Sequence, residues 1–87
     1  MSVLDKLDPG DLRDILRGLG ERVTLRGRSG EVRVSRGDVR LELLKQRGEW
    51  MAQRFRASPG GYDRIDVEPH VRVRSADEIL AVLGGVS

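Results

Sequence analysis

A chain of 87 residues has room for one hydrophobic core, so residues 1–87 are read as a single small domain. Hydrophobic residues make up 38 % of it and aromatics 3 %, which leaves most of the burial to Leu, Val and Ile, and the lack of cysteine excludes both a disulfide framework and a thiolate metal site. The net charge is only +2, because a basic middle, with ten bases against four acids over residues 22–56, is flanked by two segments that each hold five acids against three bases.

The N-terminal segment carries helix signals. Asp8 suits the N-cap, Pro9 the first helical position, and Leu12, Ile15, Leu16 and Leu19 recur at i, i+3, i+4 and i+7 as one apolar stripe. Gly18 and Gly20 offer the stop, and Val3, Leu4 and Leu7 suggest a short preceding turn. From Glu21 the period falls to two. Val23 and Leu25, then Val32 and Val34, then Val39, Leu41 and Leu43 alternate with Arg, Thr, Glu and Ser, as strands with one dry and one wet face do. "GEWMAQRFRAS" continues the run, with Met51, Gln53 and Phe55 on one side and Trp50, Ala52 and Arg54 on the other. Which of these two sides is buried stays open here, since each carries a large apolar residue.

The strands are separated by "RSG", "SRGD", "QRGE" and "SPGGYD", each with a glycine able to supply positive φ in a tight turn. "YDRIDVE" and "HVRVR" read as two further strands parted by Pro69, which lacks the N–H a ladder needs. The chain closes on a second helix. Ser75 and Glu78 have the spacing of a capping box, Ile79, Val82 and Leu83 form the stripe, and Gly84 can end it. The expected fold is therefore α+β: an N-terminal helix, an antiparallel meander of five or six strands, and a C-terminal helix packed on the sheet.

The reactive inventory is short. His70 is the only histidine, and it falls after Pro69 at the start of a strand, where it reads as a strand-edge residue rather than a general base. The serines sit mostly at turns, caps or termini, and "GLGERV" runs from helix to strand, the reverse of a phosphate-binding loop. Carboxylate chemistry by Asp63, Asp66 and Glu68 around a cation is a remainder that a single sequence cannot support. No enzyme activity, cofactor or metal is expected. No apolar run approaches the ~18 residues of a membrane span, and the residues after Met1 lack a signal-peptide core. Cytoplasmic residence is the expectation. The tripeptide Arg36-Gly37-Asp38 resembles a cell-attachment signal, but at this Arg, Gly and Asp content it needs no cause beyond a hairpin turn.

Two binding readings remain. Trp50, Met51 and Phe55 give one strand large apolar groups on both faces, and such a strand needs cover on both. Either the two helices take opposite faces or another chain covers one. This points to a protein-interaction module, an adaptor, inhibitor or regulatory subunit, with self-association plausible. The expected contact residues are Trp50, Phe55 and Tyr62, with Arg40, Arg54 and Arg56 as polar anchors. The second reading is nucleic-acid binding through Arg26, Arg33, Arg40, Arg54, Arg72 and Arg74, if the strands align them on one wet face. Against it, Glu31, Glu42, Asp66 and Glu68 share that face and would pair with the arginines. Arginine enrichment is also what a GC-rich coding sequence yields.

Overall fold

The computed structural model describes residues 4–26, 28, 30–64 and 71–84. A 3-10 turn, Leu4–Lys6, leads into helix α1, Pro9–Gly18. Five strands follow as a sequential meander: β1 Arg22–Arg26, β2 Glu31–Arg36, β3 Val39–Gln46, β4 Glu49–Ser58 and β5 Gly61–Arg64. All pair antiparallel. The two-residue strand β6, Val71–Arg72, pairs with Met51 and Ala52 of β4, so β4 holds β5 along its second half and β6 along its first. Helix α2, Ala76–Leu83, completes the α+β fold. Of the two strands expected after Pro59, the stretches through Ile65, Val67, Pro69 and His70 lie outside the described residues.

The hairpins form where the glycines predict. Gly37, with φ 60°, is the first of two turn residues between Arg36 and Val39, and Arg36-Gly37-Asp38 is thus the β2–β3 reversal. In the β3–β4 turn both central residues are left-handed, Arg47 at φ 52° and Gly48 at φ 78°, as a two-residue hairpin of the I′ kind requires. Arg47 is the only described non-glycine with positive φ.

Both helices pack on the same side of the sheet. Leu12 and Leu16 of α1 and Ile79 and Leu83 of α2 share one core with Val23, Val32, Val34, Leu41, Leu43, Trp50 and Ala52, the residues of a single strand parity. The α1 stripe is narrower than its spacing suggests, since Leu12 and Leu16 are buried while Ile15 is 41 % and Leu19 52 % exposed. The capping box of α2 forms with one change. The Ser75 hydroxyl accepts from the Glu78 amide at 3.2 Å, but the Glu78 carboxylate reaches the Arg74 amide rather than that of Ser75. Gly84 ends the helix at φ −81°, with no left-handed cap.

Trp50 settles the ambiguity of β4. It is 0 % exposed, and its indole N–H donates to the Leu7 carbonyl at 3.3 Å, an acceptor shared with the Lys45 amine at 3.2 Å. Two donors thus hold the end of the N-terminal turn against the sheet. Nearby, Arg72 holds Asp5 at 3.2 Å. At the edge of the sheet, the Arg17 guanidinium places two nitrogens, at 3.1 and 2.9 Å, on the carbonyl of Val23 in β1. That occupies an edge acceptor otherwise open to a foreign strand.

Trp50→Ala is expected to lower unfolding stability by about 3–5 kcal/mol, as large-to-small core changes do. A urea titration followed by circular dichroism checks this, and a loss below about 1 kcal/mol would contradict the core assignment.

Candidate functional site

Because side chains alternate along a strand, burying Trp50 and Ala52 sends Met51, Gln53 and Phe55 to the opposite face of the sheet. Cross-strand register then defines that face. Arg22 lies opposite Ser35, and Ser35 opposite Arg40, whose other neighbour is Phe55. Thr24 faces Arg33, Arg33 faces Glu42, and Glu42 faces Gln53. Arg26 faces Glu31, while Leu44 faces Met51 and Met51 faces Arg72. Among the described residues no helix packs here, and Leu44, Met51 and Phe55 are left half-buried as an apolar strip on a charged face.

The charges are organised around two glutamates. The Arg33 Nε lies 3.2 Å from Glu31 and 3.9 Å from Glu42, and an Arg40 terminal nitrogen lies 2.8 Å from Glu42. The Arg40 guanidinium also stands 5.7 Å from the centre of the Phe55 ring, within cation–π range. Burial, followed by a hydrogen bond and like charge from Glu31, raises the pKa of Glu42, while Arg40 and Arg33 pull it back. This face is thus a surface of paired charges beside a half-buried apolar strip. Arg22, Arg26, Arg33 and Arg40 outnumber Glu31 and Glu42 across β1–β3, so the balance is positive.

The six residues expected to make contacts do not come together. Arg40 and Phe55 are on the open face, directly opposite each other. Tyr62 pairs with Ala57 in the backbone register, which puts its position on the same face, and its side chain is outside the described set. Trp50 is in the core and presents no surface. Arg54 follows the parity of Trp50 and donates to the Val82 carbonyl in the last turn of α2 at 3.0 Å, so it anchors a helix. Arg56 is exposed opposite Val39, again on the helix side. The supposed stripe of six arginines divides in the same way. Arg26, Arg33, Arg40 and Arg72 are on the open face, the last held by Asp5 and Glu49, whereas Arg54 is under α2 and Arg74 lies beyond β6. Asp66, Glu68 and His70 lie outside the described residues.

Leu44 and Met51 belong to the open face although neither figured among the expected contacts. A signal for Leu44 was available: in Leu43-Leu44 two adjacent leucines of one strand must point to opposite faces. Elsewhere, a cleft of about 390 Å³ is lined by Gly20, Glu21, Arg22, Ser35, Arg36 and Gly37. Its Arg36 is taken by Glu21 at 2.8 Å, which leaves little net field for an anion. Among the described residues no three His, Cys, Asp or Glu side chains are grouped to hold a metal ion, and no helix is long and apolar enough to cross a membrane. The chain matches no known protein family, no characterised protein and no solved structure.

The raised pKa of Glu42 has a stability consequence of definite sign. The folded state binds its proton more tightly than the unfolded chain, so this group's contribution improves as pH falls from neutral through the folded pKa toward the ordinary carboxylate value. Below that value it stays constant. Glu42→Gln is therefore expected to reduce the gain in stability on acidification relative to wild type. Urea midpoints measured from pH 7 to pH 4 test this, and parallel profiles for the two proteins would refute it.

Proposed function

We propose that this protein is a small non-catalytic binding module that engages other proteins through the open face of its sheet. The observation that supports it best is the placement of both helices on one side. The Leu44–Met51–Phe55 strip of the other side is then left uncovered by any described element. A sheet with apolar groups on both faces gains by burying the second, and half-buried apolar residues set among charged ones have the composition of an interface. Arg40 and Phe55, opposite each other at one end of the strip, are residue types enriched at such contacts. Trp50 no longer belongs to the contact set, and its place is taken by Met51 and Leu44.

Nucleic-acid binding is a second reading, favoured by the excess of arginine over glutamate across β1–β3 and by the Phe55 ring on the same face. It is weakened by the carboxylates that already engage Arg33 and Arg40. Phosphate contacts would make affinity fall steeply with salt.

For the protein-binding reading, tagged wild type is expected to retain one or more proteins from a lysate of its source cells. Met51→Glu, with an unchanged circular dichroism spectrum, is expected to lose them. Equal retention by both forms would overturn the reading. So would retention by neither, together with a single monomeric species in sedimentation. A mobility shift of oligonucleotides at low salt that disappears as salt rises would move the assignment to nucleic acid. No shift removes that alternative.

A further inference from the structure

We infer that the occupant of the open face is a second copy of this chain, which lays the outer flank of its helix α1 along the Leu44–Met51–Phe55 strip. This rests on the reading of the open face as a protein-binding surface and names the partner.

Helix α1 carries the complementary half of such a contact. It leaves Ile15 and Leu19, one turn apart, more exposed than any other described large hydrophobic residues, so the helix has an apolar flank that its own sheet does not cover. Exposed carboxylates border that flank at Asp8, Asp11 and Asp14, the last of them paired with Arg13 at 3.1 Å. The N-terminal segment is acidic as a whole, with five acids against three bases over residues 1–21, whereas the open face is basic. Two identical open faces placed against each other would set arginines against arginines, at a cost that like charges in an interface impose. An acidic helix flank meets the same surface with the opposite sign.

The dimensions agree. A ten-residue helix is about 15 Å long, with Ile15 and the C-cap Leu19 about 6 Å apart at its C-terminal end, and Met51 to Phe55 covers roughly 13–14 Å of β4. The contact would also supply what the single copy lacks, a second helix layer over a sheet already covered on its first side. Helix α1 sits on the covered side of its own sheet. Its flank and the open face thus lie on opposite sides of the sheet and cannot both meet the same partner copy, so the contact is head-to-tail rather than two-fold. Such a contact leaves one free flank and one free face at the ends, so association continues past the dimer unless the copies close into a ring.

Complementation tests this directly. In sedimentation velocity, the weight-average coefficient of the wild type should climb with concentration beyond the dimer value. Met51→Glu spoils the face, and Ile15→Lys combined with Leu19→Lys spoils the flank. Each variant should need at least a tenfold higher concentration to associate. Mixed in equal amounts, the two variants should form a 1:1 dimer and nothing larger, because each keeps the half that the other has lost. Circular dichroism and urea midpoints matching wild type confirm that both remain folded, as expected for exposed and half-buried positions. If the helix double variant associates like wild type while Met51→Glu stays monomeric, α1 is not the occupant, though the open face remains a protein surface. A wild type that is monomeric at every concentration overturns the inference, and lysate retention then decides the broader reading on its own. A mixture that gives no dimer also overturns it.

Discussion

The architecture turns on where Trp50 points. Its indole is the largest buried side chain in the core, and its N–H, which needs an acceptor when buried, finds one on the helix side at the Leu7 carbonyl. Once the ring faces the helices, the two-residue period of β4 leaves no choice for its neighbours: Ala52 lies in the core, and Met51 and Phe55 lie on the reverse. The register with β3 carries the consequence across the sheet, since Leu43 opposite Ala52 is buried and Leu44 opposite Met51 is not. A one-residue slip would bury Met51 and Phe55 and expel Trp50, with its hydrogen bond lost. One aromatic anchor therefore determines both the core and the surface left over.

The same parity divides the arginines into two kinds of work. Two on the helix side, Arg17 and Arg54, hold backbone carbonyls. Arg54 reaches Val82 near the C-terminus of α2, and Arg17, in the last turn of α1, caps Val23 on the edge strand. Cations at helix C-termini are favoured by the aligned peptide dipoles. On the open face, Arg33 and Arg40 instead surround Glu31 and Glu42. Each carboxylate there has arginine within reach, yet burial, and after it the neighbouring Glu31, raises the pKa of Glu42. This leaves a surface that is charged and held by its own ion pairs, with an apolar strip beside them. Such a surface suits recognition of a complementary chain better than it suits tracking a phosphate backbone, because its cations are already partly engaged.

Much of this was legible in the residues themselves. The shift from a 3.6-residue to a two-residue period after Leu19, the glycines at each reversal, and the Ser75–Glu78 spacing all act locally, through backbone sterics and near-neighbour hydrogen bonds. The folded chain therefore realises both helices and the meander close to where the patterns put them. The expected contact residues fared differently, with Arg40 and Phe55 on one face and Trp50, Arg54 and Arg56 on the other. Residue type alone ranks Trp above Met as a contact, but type says nothing about which face a strand buries.

What the sequence by itself determined is the set of elements, their order and the two alternating faces of each strand, because these follow from short-range periodicity and turn chemistry. What only the tertiary structure decided is which face of β4 meets the helices, that both helices choose the same side, and hence that Leu44, Met51 and Phe55 remain uncovered among the described residues. These depend on packing between residues tens of positions apart, such as Leu7 with Trp50 or Arg54 with Val82, and no local pattern encodes which distant surface will supply the acceptor or fill the volume.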